Sequence, residues 1–205
     1  MTQVKVAVIY YTSTGANHKM AQWAKMGAEE AGAEVRLLKV KETAPQSAID
    51  ANEAWKKTHQ ELQHETEATM DDLEWADVII FSVPTRYGNA AGQFQAYIDQ
   101  TGGLWASGKT VNKVVSAMSS AMNPHGGQES TIQSIYKTMC HWGAIIVPPG
   151  YSDESVFGAG GNPYGASATV SQSGEITTEN LQAAVVHQAK RTVEVGNWVK
   201  AGMGG

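Results

Sequence analysis

The stretch Val4-Lys5-Val6-Ala7-Val8-Ile9-Tyr10-Tyr11, followed by Thr12-Ser13-Thr14-Gly15-Ala16-Asn17, decides the fold. A run of β-branched and aromatic residues is typical of a strand buried on both faces, as in a parallel sheet covered by helices. After the glycine, apolar residues recur at helical spacing from Met20 to Ala31. Three hydroxyl side chains and a glycine therefore stand between a buried strand and the start of a helix.

This loop predicts an anion site. The first-turn N–H groups of a helix have no partner inside the helix, and the helix dipole adds partial positive charge there. The loop contains no lysine, and it matches neither the GxxxxGK[ST] pattern of nucleoside triphosphate loops nor GxGxxG. A phosphate held by hydroxyls and amides is one interpretation, and simple capping of the helix by Thr12 and Thr14 is the other.

Length and composition fit one α/β domain. The chain has 205 residues, of which 42% are hydrophobic and 17% charged, and its net charge is −5. No cluster of lysine and arginine could follow a phosphate backbone, which argues against nucleic-acid binding. Because Cys140 is the only cysteine, we expect no internal disulfide. No apolar run approaches the ~20 residues of a membrane span, and no signal-peptide pattern precedes the first strand, so we expect a cytoplasmic protein.

Strands and helices alternate along the chain, which predicts a doubly wound, five-stranded parallel sheet. The predicted strands are residues 4–11, 34–40, 77–83, 113–118 and 144–147, and Pro84 is expected to end the third of them. Ligands of such sheets bind beyond the carboxyl ends of the strands, where the strand order reverses. The loops after strands one, three and four all open there.

Two segments interrupt the alternation. Residues 42–72 are polar and partly helical by prediction, so they form an excursion after strand 2. Residues 151–174 are rich in Gly, Ser and Asn, and a loop of this length is usually functional. We expect a single domain over residues 1–201, with a last helix that begins near Thr177 and a flexible tail at 202–205.

The loop motifs resemble those of the WrbA family of flavodoxin-like NAD(P)H:quinone oxidoreductases. The resemblance is carried by Pro84-Thr85-Arg86-Tyr87-Gly88-Asn89, Gly92-Gln93, Asp99-Gln100-Thr101-Gly102-Gly103-Leu104-Trp105, Gly127-Gln128-Glu129, Val147-Pro148-Pro149-Gly150-Tyr151 and Asn162-Pro163-Tyr164-Gly165-Ala166. It extends over nearly the whole chain and is weakest over residues 43–70. It implies a flavodoxin-like sheet of order 2-1-3-4-5, non-covalent FMN, and ping-pong transfer of a hydride from NADH or NADPH through the flavin to a quinone.

The resemblance also implies site residues. Those assigned to cofactor binding are Thr12, Ser13, Thr14, Gly15, Ala16, Asn17, Pro84, Thr85, Arg86, Tyr87, Gly88, Asn89, Ser119, Ser120, Ala121, Met122, Asn123, Gly126 and His141. Trp105 and His141 match catalytic positions of the pocket, Trp105 and Thr14 match substrate positions, and no metal is expected. Because the family shares its pocket between protomers, the resemblance implies a homo-tetramer with flavin pockets at subunit interfaces.

Some residues depart from the family pattern or have a second interpretation. Thr14 stands where a tyrosine is common, and residues 121–126 replace a loop that is mostly Gly and Thr. His141 ends a predicted helix, where a cation would interact favourably with the helix dipole, so a capping role is the alternative. Trp105 has a packing or interface role as its second interpretation, and the two roles are compatible. Two other functions stay open, a one-electron carrier of the flavodoxin type and a DNA-binding regulatory module, although the acidic composition disfavours the second.

Overall fold

A sheet of seven strands forms the centre of the molecule in this computed structural model, which describes residues 3–203. The strands are β1 (Lys5–Tyr10), β2 (Glu34–Lys39), β3 (Val78–Arg86), β4 (Asn89–Ala90), β5 (Val114–Ala121), β6 (Ile145–Ile146) and β7 (Ser167–Thr169). The main path runs β2-β1-β3-β5-β6, and every pair along it is parallel. β4 pairs antiparallel with β3, and β7 pairs parallel with β5.

This order agrees with the predicted one, because the five strands of the main path are the five expected strands in the order 2-1-3-4-5. The expected number of strands was wrong, since β4 and β7 bring the sheet to seven. β6 pairs with the start of β5, whereas β7 pairs with its end at Ser119, Ser120 and Ala121. Strands as short as β4 and β7 carry no periodic pattern, so local sequence does not reveal them.

Helices cover both faces of the sheet. They are α1 (Ala16–Glu30), α2 (Gln46–Asp50), α3 (Glu53–Glu61), α4 (Met70–Trp75), α5 (Gly92–Asp99), α6 (Gly102–Ala106), α7 (Gln128–Trp142), α8 (Glu154–Gly158) and α9 (Leu181–Met203). Apolar residues of α1 and α9 share one core cluster, and those of α4, α5 and α7 share another. Within the described residues, no helix is both long and apolar enough to cross a membrane.

β1 is buried on both faces, as its sequence predicted. Val6 and Val8 pack under α1 and α9, while Ala7 and Ile9 pack on the other face, and all four are 0% exposed. The strand lies between β2 and β3, where the strand order reverses. The loop that leaves β1 is therefore placed at the ligand-binding edge of the sheet.

Pro84 does not end β3, contrary to expectation. The pairing of β3 with β1 stops at Ser82, so the missing N–H of Pro84 removes no bond to β1, and Pro84 still lies opposite Ser120 of β5. β5 likewise continues beyond its predicted end, so residues 119–121 belong to a strand and not to the following loop.

The two irregular segments contain regular structure. Residues 42–72 hold α2, α3 and the start of α4, and Asn52 separates the first two because its side chain accepts a hydrogen bond from Trp55 N–H and caps α3. Residues 151–174 hold α8 and β7, so the predicted long loop is not structureless.

α9 begins later than predicted. It starts at Leu181, and the hydroxyl of Thr177, the expected cap, instead donates to the Thr169 carbonyl at 3.1 Å. The helix continues through Met203, so the described part of the expected tail is helical. The remaining tail residues, 204 and 205, lie outside the described residues.

Candidate functional site

Three loops meet at the carboxyl edge of β1, β3 and β5, as the sequence predicted. We call residues 11–15 the first loop, residues 85–90 the hairpin and residues 122–127 the third loop. Arg86 Nη2 donates to Ser13 Oγ at 2.9 Å, which joins the hairpin to the first loop. Thr85 Oγ1 donates to the Gly127 carbonyl at 3.4 Å, which joins the hairpin to the third loop. The three loops are therefore contiguous along this edge of the sheet, and we call the surface that they form the crevice.

The first loop presents backbone donors. Gly15, at φ 92°, precedes α1, and no side chain caps the helix. Thr12 Oγ1 accepts from Gly15 N–H at 2.9 Å, so Thr12 braces the loop and does not cap the first turn. The first-turn N–H groups of α1 have no partner inside the helix and carry the positive end of its dipole. Of the two interpretations of this loop, the geometry favours the anion site.

Asn17 holds the start of α1 against the sheet and does not line the crevice with its side chain. Its side chain is buried, with Nδ2 donating to Ser82 Oγ at 3.2 Å and Oδ1 accepting from Ser120 Oγ at 2.6 Å. The Ser119 hydroxyl donates to the Val83 carbonyl at 2.8 Å. The side chains of Asn17, Ser119 and Ser120 are therefore committed to hydrogen bonds inside the protein and support the loops from behind.

The hairpin turns tightly at Tyr87 and Gly88. Their φ angles are 52° and 82°, and positive φ at both central residues is what a type I′ turn between antiparallel strands requires. Thr85 Oγ1 accepts from Gly88 N–H at 3.2 Å and fixes the turn. A tyrosine in this conformation costs about 1 kcal/mol, and its ring is fully exposed. Strain of this kind persists mainly at functional sites.

The third loop requires glycine where it crosses the hairpin. A Cβ on Gly127 would lie 2.7 Å from Gly88 Cα, so a larger residue would push the two loops apart. Gly127, at φ 96°, also precedes α7, and no side chain caps that helix. A second set of free first-turn N–H groups therefore faces the crevice. Met122 and Asn123 of the same loop are exposed.

A turn near the end of the 151–174 segment packs against the first loop. A Cβ on Gly174, which has φ 87°, would lie 2.0 Å from the Thr14 carbonyl oxygen, so the two backbones touch. Thr14 is the residue that the family resemblance assigns to the substrate site. Nothing in the local pattern around Gly174 indicates this contact, because it depends on how distant segments pack.

Glu42 joins the first loop to two other segments, and no sequence motif indicated it. Its carboxylate accepts from the Tyr11 hydroxyl at 3.0 Å, from Trp55 Nε1 at 3.2 Å and from Gln93 Nε2 at 2.9 Å. Burial raises the pKa of this carboxyl, but the hydrogen bonds from the Ala44 N–H, Gln93 and Tyr11 together lower the pKa by more than burial raises it. The pKa of Glu42 therefore lies below its ordinary value, and the residue is a stable anion.

Trp105 and His141 lie together, but not at the crevice of their own chain. Trp105 Nε1 donates to the His141 carbonyl at 2.9 Å, and both residues are exposed. His141 stands about 20 Å along α7 from its start at the crevice, at about 1.5 Å of rise per residue. The strand after α7 pairs with the first residues of β5, which confirms that this is the opposite edge of the sheet. Within one chain, neither residue reaches the three loops.

A serine, a histidine and an aspartate also lie together. His187 Nε2 is 2.9 Å from Ser152 Oγ, and its Nδ1 is 3.9 Å from Asp153 Oδ2. However, the Ser152 hydroxyl donates to the Pro149 carbonyl at 2.6 Å, so the imidazole donates to the serine. A nucleophilic serine needs the reverse arrangement. The group connects the segment before α8 to α9 and does not form a hydrolase triad.

Comparisons with known proteins give a family model and relatives of nearly the same length. A family model described as NADPH-dependent FMN reductase matches residues 4–158. A protein of Deinococcus radiodurans named NAD(P)H dehydrogenase (quinone) is 54% identical over 192 residues, which cover 94% of this chain and 95% of that protein. A protein of Geotalea daltonii with the same name is 39% identical over 198 residues, which cover 94% of this chain and 96% of that protein.

Solved structures support the fold. The crystal structure of a flavodoxin, WrbA-like protein from Agrobacterium tumefaciens matches with a TM-score of 0.65 at 21% identity, covering 96% of this chain and 99% of that chain. A flavodoxin of Streptococcus pneumoniae TIGR4 matches with a TM-score of 0.57 at 12% identity, covering 94% of this chain and 99% of that chain. At these identities, the likeness concerns the flavodoxin-like architecture alone.

Proposed function

This chain belongs to the WrbA-type family of FMN-dependent NAD(P)H dehydrogenases (quinone), and we propose that NADH or NADPH and a quinone use its flavin site in turn, by a ping-pong mechanism. The observation that carries the proposal is that all three loops meet at one place, because two substrates that share a single flavin site there must use it in turn. When bound, FMN accepts a hydride from the pyridine nucleotide and supplies two electrons to the quinone.

The first loop fits the phosphate of FMN. The uncapped start of α1 supplies free N–H groups and a positive dipole, and the Gly15 backbone places them at the crevice. The hydroxyls of Thr12, Ser13 and Thr14 surround these donors. The guanidinium of Arg86, which contacts Ser13, adds a positive charge that the sequence of the loop itself lacks.

We assign the isoalloxazine ring to the hairpin and the third loop. The hairpin presents the backbone of its turn to this surface, and the exposed Tyr87 ring provides an aromatic surface beside it. Met122 and Asn123 line the other side of the crevice, while Ser119 and Ser120 keep β5 in register beneath it. In this arrangement the chain orients the ring through backbone groups and leaves one face open for the substrates.

We also propose a homo-tetramer in which Trp105 and His141 of a second copy complete each pocket. In support, the two residues form one exposed pair at the edge of the sheet opposite the crevice, where they can contribute only to a neighbouring chain. The indole would line one side of the quinone-binding site, and the imidazole would donate a hydrogen bond to the quinone oxygen as negative charge develops there.

The shared pocket predicts complementation between variants. Trp105→Ala should raise the quinone KM about fivefold, the value of a lost aromatic contact, without weakening FMN binding. Mixed tetramers of this variant with a Thr12→Ala and Thr14→Ala variant should contain some intact composite sites, so mixing should raise activity above the average of the two. Light scattering that shows a monomer, or the absence of complementation, would contradict the shared pocket.

Steady-state kinetics test the reaction itself. Protein loaded with FMN should reduce benzoquinone in an NAD(P)H-dependent manner and give parallel lines in double-reciprocal plots. Intersecting lines would contradict the ping-pong mechanism and leave the quinone reductase activity standing. Loaded protein that oxidises no NAD(P)H in the presence of quinone would contradict the function as a whole.

We propose a cytoplasmic location for this reaction. In support, Cys140 is an exposed free thiol, and a reducing compartment keeps such a thiol from oxidation. Fractionation of cells followed by detection of the protein in the cytosolic fraction tests the proposal, and recovery from a secreted or membrane fraction would contradict it.

A further inference from the structure

We propose that Glu42 is a positioning residue for phosphate binding, because it terminates a chain of hydrogen bonds that holds the Arg86 guanidinium beside the first loop. The inference rests on the proposed FMN site and concerns how that site selects a flavin that carries a phosphate. Glu42 itself touches no cofactor in this scheme. A carboxylate so close to an anion site opposes phosphate binding by its charge, so its presence calls for a structural role that outweighs this cost.

The chain of hydrogen bonds has one direction. Arg86 Nη2 donates to Ser13 Oγ at 2.9 Å, Ser13 Oγ lies 3.4 Å from the Tyr11 hydroxyl, and Tyr11 donates to Glu42 Oε2 at 3.0 Å. Because the single phenolic proton goes to Glu42, the Tyr11 oxygen accepts from Ser13. The Ser13 oxygen is then free to accept from Arg86. The anionic end at Glu42 therefore orients every member of the chain toward the guanidinium.

Glu42 also holds α3 over the first loop. Trp55 Nε1 donates to the same carboxylate oxygen at 3.2 Å, and Trp55 lies on α3. Thr58 of that helix is buried, and its hydroxyl lies 3.7 Å from the position of a Cβ on Gly15. The polar excursion after β2, where the family resemblance is weakest, therefore forms one wall of the phosphate site.

A third connection joins Glu42 to the segment that follows the hairpin. Gln93 Nε2 donates to Glu42 Oε1 at 2.9 Å, in the first turn of α5. The backbone N–H groups of Thr43 and Ala44 donate to the same oxygen, each at 2.9 Å. Five donors thus converge on two oxygens. A glutamine has one oxygen and one donor group, so Glu42→Gln would confront some of these donors with another N–H.

Flavin binding to the apoprotein tests this role without any turnover. FMN and riboflavin differ by the phosphate, so the ratio of their dissociation constants isolates the phosphate site. We expect Glu42→Gln to weaken FMN binding roughly 10- to 100-fold, in line with loss of charged hydrogen bonds, and riboflavin binding less than twofold. Glu61→Gln is the matched control, because Glu61 is an exposed carboxylate on α3 that pairs at 3.8 Å with Lys57, and it should change neither constant.

A double-mutant cycle tests the connection between Glu42 and Arg86. If Glu42 acts through the guanidinium, the FMN affinity losses of Glu42→Gln and Arg86→Ala should be strongly non-additive, with little further loss in the double variant. Additive losses would overturn the inference. So would equal weakening of FMN and riboflavin by Glu42→Gln, which is the result of a general structural defect, or unchanged binding of both.

Tyr11→Phe provides a second route to the same answer. It removes the hydroxyl that joins Glu42 to Ser13 and leaves the buried ring in place. If Glu42→Gln does not fold, Tyr11→Phe still tests whether the chain of hydrogen bonds supports phosphate binding. We expect a lower preference for FMN over riboflavin in this variant, and an unchanged preference would overturn the inference. Because these measurements involve neither NAD(P)H nor quinone, a failure of the proposed reaction would leave their outcome intact.

Discussion

The two edges of the sheet contain the same unusual backbone conformation on different residue types. At the carboxyl edge, Tyr87 has φ 52° in the hairpin turn and a fully exposed ring. At the opposite edge, Asn112 has φ 62°, and its N–H donates to the Gly143 carbonyl at 3.0 Å. Asparagine tolerates the left-handed region and tyrosine does not. Backbone strain is therefore kept at the edge where a ligand is expected, and a tolerant residue is used at the other.

The two edges of the sheet also differ in how the charges of their lysine and arginine side chains are paired. At the opposite edge, Lys200 Nζ pairs with Asp77 at 2.6 Å, and Lys113 Nζ donates to the Glu74 and Ala76 carbonyls. Burial lowers the pKa of Lys113, although Asp77 and Glu74 oppose the change. At the carboxyl edge, Arg86 donates to two neutral oxygens, those of Ser13 and Thr85. Charge is thus neutralised locally at one edge and kept available for an anion at the other.

The largest expected effect comes from Asn17→Ala. This variant tests whether buried polar groups contribute more to the free energy of unfolding beneath the crevice than at the opposite edge. The change leaves the buried Ser120 hydroxyl without its acceptor and removes the amide that donates to Ser82 Oγ, although Ser82 keeps its bond to the carbonyl of residue 17. It should cost about 3 kcal/mol of unfolding free energy in urea, with loss of FMN binding. Thr110→Ala is the control at the opposite edge, where the hydroxyl makes one bond to the Trp142 carbonyl at 3.0 Å. We expect about 1 kcal/mol there and unchanged FMN affinity. Equal costs for the two variants would contradict the comparison.

The double variant Thr12→Ala with Thr14→Ala should affect binding more than folding. Each hydroxyl directed at the phosphate contributes about 1 kcal/mol, so the FMN dissociation constant should rise about 30-fold. Fluorescence titration of the apoprotein measures the constant, and urea unfolding of the same sample checks the fold. An unchanged FMN affinity would place the phosphate outside the first loop.

Tyr87→Gly tests the strain directly. Removing the side chain from a residue in the left-handed region should stabilise the fold by about 1 kcal/mol. Any weakening of FMN binding or slowing of quinone reduction in the variant measures the contribution of the Tyr87 side chain to the site. Asn112→Gly is the matched change at the opposite edge and should alter stability less and binding not at all. Thermal unfolding and FMN titration report the two quantities. A Tyr87→Gly variant that is less stable than the parent would show that the turn is not strained.

The smallest expected effect is a change in pH dependence. The pKa of Glu42 lies below its ordinary value of 4.5, because hydrogen bonds outweigh burial. The stability that this depressed pKa contributes is fully present above the ordinary value and is lost as the pH falls through the folded-state value. Between about pH 6 and pH 3, the parent should therefore lose more unfolding free energy than Glu42→Gln. Identical pH profiles would show that Glu42 is not a hydrogen-bonded anion in the folded protein.

Much of the fold followed from local pattern. The buried run of β1 predicted a central parallel strand. The apolar spacing from Met20 to Ala31 predicted the helix that became α1, which ends at Glu30, and the helix predicted to end at His141 became α7, which ends at Trp142. The two short strands β4 and β7 did not follow, since each exists only through pairing with β3 or β5. Pro84 indicated the end of a strand, but its effect depended on where β1 stops beside it.

The sequence by itself determined which loops we assign to the flavin site, because glycines and hydroxyls after buried strands are local signals that do not depend on packing. Only the tertiary structure decided that Glu42 joins three segments, that Gly174 touches Thr14, and that Trp105 and His141 lie at the edge opposite the crevice. These contacts connect residues far apart in the chain. Their geometry is set by strand register and helix packing, which no local residue preference encodes.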